Sequence, residues 1–377
     1  MARHQRSAAA SSSDWTTAEP TGPSALERVT QRRPLTPDAS FLALPDPVGL
    51  PPYRRALADV LGPEASAAIT RDGALRFHCV GDTGGHVDPR PQRRVAAAMA
   101  RELRDDLPAR FFYHLGDVVY PHGEEANYRP QFLSAYADYA APIFAVPGNH
   151  DAEPGADAYT LEPFVKTFCS GSPPLHDAAA AQPRPPSAQP NVFWTLVHDW
   201  VWIVGLYANV PEGGQFADEQ LSWLVGELSA APPTATVIVA VHQPVFSADV
   251  THGSNVELAE TLDACAQEAG RAPDAVFAGH AHNYQRFVRR QAGRATPYVV
   301  AGAGGFHELH SLGHGITGLP AKFEGLDGVT LEAFQDATHG FMTVTAGPSG
   351  ADVVYNALTD DAVIRADSFE IAPNRRP

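Results

Sequence analysis

The chain has 377 residues, of which 44% are hydrophobic, and its 27 basic and 43 acidic residues give a formal net charge of −16. This length and hydrophobic content predict a folded protein with a sizeable core and argue against wholesale disorder. The negative charge argues against a surface that coats nucleic acid, because such a surface needs clustered lysine and arginine. A bound cation can reverse the sign locally, so an anionic ligand is not excluded.

Cysteine content and hydropathy argue against disulfide-rich and membrane-spanning classes of protein. The three cysteines, Cys79, Cys169 and Cys265, have no paired spacing, which argues against a disulfide framework and a cysteine-rich zinc site. Residues 1–13 contain no apolar segment of a signal peptide, and no run approaches the roughly 18 apolar residues of a membrane span. We therefore expect a cytoplasmic protein without a membrane contact, with a secreted or periplasmic location left open.

The composition divides the chain into four predicted regions: an irregular arm (1–47), a helical lead-in (48–74), a main domain (75–357) and a tail (358–377). The arm is polar, proline-rich and aperiodic. The helical pattern of the lead-in is interrupted near Gly62 and Pro63. Within the main domain, residues 171–190 are rich in proline and alanine and predict an exposed loop, with a substrate lid as the alternative.

Short apolar segments alternate with helical patterns through the main domain. The apolar segments predict strands buried on both faces, at 75–80, 110–115, 142–147, 200–207, 236–241, 274–278 and 297–302. Helical periodicity follows at 92–107, 217–230 and 255–270, and a hairpin at 340–357 turns near 348–350. This alternation predicts an α/β fold in which helices cover a mainly β centre.

Five of the predicted strands are followed at once by polar residues that can bind metal. They are Gly81-Asp82-Thr83-Gly84, Gly116-Asp117-Val118-Val119-Tyr120, Gly148-Asn149-His150-Asp151, His242 and Gly279-His280-Ala281-His282. Each one alone is an ordinary turn or helix cap. Ligands of open α/β sheets gather outside the carboxyl ends of the strands, so together the five predict one shared site.

The donor types in these segments are two aspartates, a tyrosine, an asparagine and three histidines. That set is too large for one tetrahedral zinc ion and suits two ions that share a carboxylate. Two ions about 3.5–4 Å apart can clamp a phosphoryl group and activate water near neutral pH. Oxygen and imidazole donors suit iron, manganese or zinc.

The ordered motifs GDxG, GDxxY, GNHD, VxxH and GHxH resemble those of the calcineurin-like metallophosphoesterases, and in detail the purple acid phosphatases, especially their small tartrate-resistant branch. The segments EQLSWL (219–224), HQPVFSADVTHG (242–253) and AGAGGF (301–306) are also similar to that branch. The resemblance covers about residues 75–357 and implies that this is the catalytic domain. It also implies a four-layer fold in which a central β-sandwich of two mixed sheets is flanked by helices.

The resemblance implies the ligands of both ions. A ferric ion would take Asp82, Asp117, Tyr120 and His282, and a divalent ion (iron, zinc or manganese) would take Asp117, Asn149, His242 and His280. The wider superfamily usually has DxH where this chain has Asp82-Thr83-Gly84. Tyr120 would compensate, because a phenolate is a hard anionic donor that favours Fe(III). A core position for Tyr120, or His86 as a substitute ligand, stays open.

The resemblance also implies residues that act on the substrate. His150 and His252 would contact the phosphate and protonate the leaving oxygen, with Asn149 as a further contact. From their positions in the sequence, Arg286 after the GHAHNYQ segment and His307 in the histidine-rich loop are further candidates for substrate binding. An exposed loop position for His252 and a surface ion pair for Arg286 are the alternatives. His307, His310 and His314 follow a glycine-rich turn and are interpreted first as surface residues that could rim the pocket.

Together these features predict hydrolysis of phosphomonoesters at a dinuclear Fe(III)–M(II) centre, with metal-held hydroxide as the nucleophile and a small phosphorylated molecule as the substrate. A phosphodiesterase or nucleotide pyrophosphatase with the same site is the first alternative. A non-catalytic metal-binding scaffold is a second, although no ligand of the family pattern is missing. Redox chemistry at a tyrosine-ligated iron is a third, as a side activity. The oligomeric state is not predicted.

Overall fold

The computed structural model describes residues 44–152, 161–170, 187–208, 215–313 and 316–374. In these residues, two mixed β-sheets face each other and helices pack on their outer surfaces. The predicted arm 1–47 and the insertion 171–190 lie almost wholly outside the described residues. Among the described helices, none is both long and apolar enough to cross a lipid bilayer.

The larger sheet has nine strands. Their order across the sheet is β1 (Arg54–Ala56), β5 (Trp194–His198), β6 (Val201–Gly205), β7 (Thr236–Ala240), β8 (Ala275–Ala278), β10 (Arg294–Ala301), β9 (Tyr284–Gln291), β12 (Val329–Gln335) and β11 (Ala321–Lys322). The central strands β6, β7, β8 and β10 run parallel to one another. Their carboxyl ends therefore lie at one edge of the sheet.

The smaller sheet has six strands. Their order is β15 (Val363–Ile371), β14 (Gly350–Leu358), β13 (Gly340–Gly347), β2 (Leu75–Val80), β3 (Phe112–His114) and β4 (Ile143–Ala145). The strands β2, β3 and β4 are parallel, whereas β13, β14 and β15 form an antiparallel meander. The turn between β13 and β14 lies at Pro348 and Ser349, as the hairpin pattern predicts.

Four longer helices accompany the sheets: α1 (Leu57–Asp72), α2 (Arg90–Glu102), α3 (Asp218–Ala230) and α4 (Val256–Ala269). Shorter helical segments are Glu125–Tyr128, Asn149–Ala152 and Glu162–Phe164, with π-helical turns at Arg129–Leu133 and Val165–Cys169. Helix α1 is broken at Gly62, whose φ is 79°. The side chain of Asn255 caps α4 by accepting the backbone N–H of Leu258, and Gly270 ends it in the left-handed conformation.

Aromatic side chains join the two sheets through the core. Tyr113 of β3 stacks on Trp194 of β5 with ring centroids 6.0 Å apart, and Tyr284 of β9 stacks on Tyr355 of β14 at 3.9 Å. All four rings are buried. Aromatic pairs of this kind stabilise by about 0.5–1.5 kcal/mol beyond their buried area, so they fix the two sheets against each other and hold their edges in register.

The predicted fold class, a sandwich of two mixed sheets flanked by helices, is confirmed. The predicted tail 358–377 is wrong in one respect, because Val363–Ile371 form strand β15, paired along its length with β14. Most of this edge strand is exposed, and polar residues interrupt its apolar ones, so it has no continuous apolar run. The helix predicted at 92–107 spans Arg90–Glu102 instead. The division of the chain into four regions stays a prediction.

Candidate metal centre

The five motifs lie together at one rim of the molecule. β2, β3 and β4 end there in one sheet, and β7 and β8 end there in the other. Several hydrogen bonds join the sheets at this rim. Among them, the backbone N–H of His280 donates to Asp82 Oδ2 (2.9 Å), and His242 Nδ1 donates to the carbonyl of Leu115 (2.8 Å). The predicted convergence of distant loops is therefore present in the structure.

Asp82, Tyr120 and His282 form a first group of donors. The Tyr120 hydroxyl lies 3.5 Å from Asp82 Oδ1 and 3.4 Å from His282 Nε2, and Asp82 Oδ1 lies 3.6 Å from His282 Nε2. His282 Nδ1 donates to the carbonyl of Glu308 (3.1 Å). A carbonyl only accepts, so Nδ1 carries the proton and the lone pair of Nε2 points towards Asp82 and Tyr120. We call these three residues the first triangle.

Asn149, His242 and His280 form a second group beside Asp117. Asn149 Oδ1 lies 3.0 Å from both His242 Nε2 and His280 Nδ1, and these two nitrogens are 3.3 Å apart. Asp117 Oδ2 lies 3.2 Å from His242 Nε2. The ligand atoms of Asp117, His242 and His280 all lie within 4.8 Å of one another, and the three side chains are buried. We call Asn149, His242 and His280 the second triangle.

Both triangles have the dimensions of metal sites. Metal–donor bonds of about 2.1 Å separate neighbouring donors by about 3.0–3.4 Å, and the observed separations are 3.0–3.6 Å. His242 Nδ1 donates to the carbonyl of Leu115, so Nε2 is the ring atom that faces the oxygens of Asn149 and Asp117. Such a buried cluster of acceptors is stable only with positive charge between them. The residues present therefore fit a pair of cations.

The electrostatics of the cluster point the same way. Burial opposes a charge on His242, yet the carboxylates of Asp117 and Asp82 outweigh it and raise its pKa to about 10. Burial, followed by Asp117 and Asp82, raises the pKa of Tyr120 well above its ordinary value. Asp117 thus influences the pKa of a member of each triangle.

The backbone is strained where it presents these donors. Of the six non-glycine residues with positive φ in the described ranges, three are Asp82 (57°), Asp117 (55°) and His280 (69°). Each of them directly follows a glycine at a strand end. A left-handed conformation costs a non-glycine residue about 1–2 kcal/mol, and such strain clusters at functional sites.

Two further side chains tie the loops together. His114 Nδ1 accepts the backbone N–H of Gly116 (3.1 Å), so its Nε2 carries the proton and donates to Thr83 Oγ1 (2.8 Å). Burial lowers the pKa of His114 to about 3, which keeps the ring neutral. Asp151 accepts backbone N–H groups of Val118 (3.0 Å) and Gly148 (2.9 Å). The loops that carry Asp82, Asp117 and Asn149 are therefore held in one arrangement.

His150 and His252 flank the cluster. The backbone N–H of His150 donates to Asp117 Oδ1 (2.9 Å), its Nδ1 donates to the carbonyl of Pro121 (2.8 Å), and its ring lies 4.6 Å from that of Tyr120. The ring of His252 lies 4.0 Å from that of His280. Burial and the nearby His310 lower the pKa of His252. His252 is therefore partly buried beside the second triangle and is not an exposed loop residue.

The two remaining candidates for substrate binding, His307 and Arg286, do not contact either triangle directly. The ring centroid of His307 lies 4.5 Å from that of Phe306, which in turn lies 4.4 Å from that of Tyr120 and 4.5 Å from that of His282. His307 therefore lies at the rim, separated from the first triangle by the ring of Phe306. Arg286 pairs with Asp367 of β15 through Nε (2.6 Å) and Nη2 (3.1 Å). β15 is the far edge strand of the smaller sheet. The assignment of Arg286 to the phosphate is therefore contradicted, and the ion-pair alternative is the one observed.

Phe306, His310 and Asp249 belong to the site but were not predicted as site residues. His310, interpreted first as a surface histidine, lies with its ring 4.3 Å from that of His282. Asp249 accepts the backbone N–H of His252 at 2.7 Å. The only sequence signal for His310 is its place in the histidine-rich loop after residues 301–306.

Comparisons with known proteins agree with this geometry. Residues 75–284 match the model of the calcineurin-like phosphoesterase family. A 155-residue stretch, 41% of this chain, is 27% identical to the 3′,5′-cyclic adenosine monophosphate phosphodiesterase CpdA of Vibrio vulnificus (strain CMCP6) and spans 46% of that protein. The chain thus matches about half the length of this curated relative.

Two solved structures have a similar fold. The purple acid phosphatase PPD1 from yellow lupin (Lupinus luteus) seeds matches with a TM-score of 0.58 and 18% identity over 79% of this chain and 54% of that chain. GAP50, the anchor in the inner membrane complex of Plasmodium, matches with a TM-score of 0.56 and 16% identity over 80% and 89% of the two chains. At these identities the likeness concerns the fold alone.

The family match covers 75–284, more than half of the 377 residues, and includes all five motifs. It also begins at the first residue of β2 and ends at the first residue of β9. The matched part therefore contains every strand end that presents a donor. The chain belongs to the calcineurin-like phosphoesterase family of hydrolytic enzymes.

Proposed function

We propose that this protein hydrolyses phosphomonoesters of small molecules at a pair of metal ions, a ferric ion and a divalent iron, zinc or manganese ion. The observation that carries the proposal is the pair of adjoining triangles of buried donor atoms, with Asp117 next to both. The ferric ion would be held by Asp82, Asp117, Tyr120 and His282, and the divalent ion by Asp117, Asn149, His242 and His280. When bound, such a pair supplies positive charge for the phosphate and activates water.

The chemistry of the donors supports two different ions. The first triangle contains a carboxylate and a phenol oxygen, which are hard donors that favour a trivalent ion. The second triangle has two imidazole nitrogens and an amide oxygen, a set that suits a divalent ion. The positive charge of the pair also explains how a chain with a formal charge of −16 would bind an anionic phosphate.

His150 and His252 would handle the proton of the leaving oxygen. His150 Nδ1 donates to Pro121, so Nε2 is the atom that would give or take a proton in the reaction. His252 lies against His280, with its backbone fixed by Asp249. Histidine is suited to this task because its pKa lies near neutral pH. Departure of an alkoxide without a proton is unfavourable, so loss of either ring should slow esters with poor leaving groups most.

A substrate panel tests the proposed function. We expect the metal-loaded protein to hydrolyse p-nitrophenyl phosphate with a higher kcat/KM than bis(p-nitrophenyl) phosphate or 3′,5′-cyclic AMP. Elemental analysis of the same sample should find two metal ions per chain. Turnover of the diesters in preference to the monoester would support the second candidate, a phosphodiesterase, for which the match to CpdA is the specific observation.

A non-catalytic role is the remaining alternative, since the fold is shared with GAP50, which is described as an anchor. Against it, all seven donors of the family pattern are present and buried, and each lies within 3.6 Å of at least one other. A protein that binds two ions per chain yet turns over none of these esters would contradict the proposed function.

Tyr120→Phe tests the ferric ion separately from activity. The ring packs 4.4 Å from Phe306 and 4.6 Å from His150, so Phe keeps this packing and removes only the oxygen donor. We expect the iron-loaded wild type to show a visible phenolate-to-iron absorption band that the variant lacks. Tyr128→Phe is the matched control, because Tyr128 is also buried, and it should keep the band. A colourless wild type with a full iron content would contradict Tyr120 as a ligand.

A further inference from the structure

Asp249 organises the loop between β7 and α4. The whole residue is only 7% exposed, and its side chain is fully buried. Oδ1 accepts the backbone N–H groups of Thr251 and His252, each at 2.7 Å, and Oδ2 accepts Asn283 Nδ2 at 2.8 Å. Since Asn283 directly follows His282, one buried carboxylate joins the turn that carries His252 to the strand end that carries the first triangle.

The same carboxylate faces His310. His310 Nδ1 lies 3.4 Å from Asp249 Oδ1, and the backbone N–H of His310 donates to the carbonyl of His282 (3.0 Å). On either side of Asp249, Gly313 N–H donates to Ala248 (2.8 Å) and Val250 N–H donates to Ser311 (3.3 Å). The two loops therefore form a short ladder that fixes the backbone around His310, whose side chain is 16% exposed.

This arrangement completes a row of four imidazole rings. His252 lies 4.0 Å from His280 and 5.4 Å from His310, and His310 lies 4.3 Å from His282. The row begins at a member of the second triangle and ends at a member of the first. A phosphate that spans both triangles must therefore lie beside the two central rings, His252 and His310.

We propose that His310 is a third substrate-contacting histidine of this site, and that Asp249 is the positioning residue that holds both His252 and His310. The inference rests on the proposed function and adds to it a residue outside the five motifs. Asp249 faces Nδ1 of His310, so the opposite ring nitrogen, Nε2, is the atom that contacts the phosphate ester.

Two replacements of His310 separate substrate contact from structural support. Gln places its amide nitrogen close to the position of Nε2, whereas Asn places its amide near Nδ1, on the side of Asp249. We expect His310→Ala to raise both KM for p-nitrophenyl phosphate and the dissociation constant of inorganic phosphate about tenfold, the size of one hydrogen bond to a charged group. His310→Gln should restore most of this loss and His310→Asn should not. Asp249→Asn, which disturbs both rings, should lower kcat as well as raise KM.

His198→Ala is the matched control, because His198 is also a partly buried histidine. It lies at the end of β5, which runs antiparallel to β6, so it is at the edge of the sheet opposite to the candidate site. It should leave both constants unchanged. Two bound metal ions per chain are required in every variant compared. Full rescue by Asn, or a His310→Ala variant that behaves like His198→Ala, would overturn the inference while the proposed function stood. The wild type could have no turnover while calorimetry still finds the expected loss of phosphate affinity in His310→Ala. That result would refute the proposed function and support the contact.

Discussion

Asp117→Asn is expected to lose most of the bound metal and to lower kcat/KM for p-nitrophenyl phosphate by a factor of about 10³ or more. Oδ2 of this side chain lies 3.2 Å from His242 Nε2 of the second triangle, and Oδ1 accepts the backbone N–H of His150 at 2.9 Å. The same carboxylate raises the pKa of Tyr120 in the first triangle. An asparagine must turn its NH₂ group either towards His242 Nε2 or towards the N–H of His150. Either orientation puts a donor where an acceptor is needed.

Elemental analysis and steady-state kinetics on the same sample measure this prediction. Asp274→Asn is the matched control, because Asp274 is also a buried aspartate, 2% exposed, and it accepts a backbone N–H of Val237 (2.8 Å) at the amino end of β8, away from His280. The control should lose stability but keep both ions. If Asp117→Asn kept two ions and wild-type turnover, Asp117 would not be the shared ligand.

The strand ends of the site were predictable because each signal is local. A buried parallel strand appears as a short apolar run, and a glycine followed by a donor marks its end. The parallel order of β2, β3 and β4, and of β7 and β8, then brings five distant loops to one rim. The resemblance supplied the division of donors between two ions, which the spacing alone left open.

The errors came from contacts that depend on pairing between strands. Tyr284 and Arg286 lie on the same face of β9, because side chains alternate along a strand. Tyr284 stacks on Tyr355 of the smaller sheet, so Arg286 also faces that sheet and meets Asp367. The short sequence separation between His282 and Arg286 does not reveal that Arg286 pairs with Asp367. The residues of β15 were themselves predicted to form a tail. His310 joins the site only through the ladder between its loop and that of Asp249.

Gly148→Ala is expected to have the second large effect, because the loops that carry Asp117 and Asn149 touch at this residue. A Cβ at Gly148 would overlap the Oδ1 and the backbone nitrogen of Asp117. Asp117 would have to move, or the turn that carries Asn149 would, and either movement separates the shared ligand from the second triangle. Overpacking of this kind costs about 1–3 kcal/mol of stability, and we expect at least one of the two ions to be lost.

Gly226→Ala is the control for the same chemical change. Gly226 lies inside α3, where an added Cβ would meet nothing within 4 Å, so alanine should raise the stability by about 0.5–1 kcal/mol through its higher helix propensity. The thermal unfolding temperatures of the two variants should therefore shift in opposite directions, and elemental analysis should find a loss of metal only in Gly148→Ala. If Gly148→Ala were destabilised but kept both ions, Asp117 would hold its place without this close contact. Loss of an ion at Gly148 alone would show that the close approach of the two loops sets the position of the shared carboxylate.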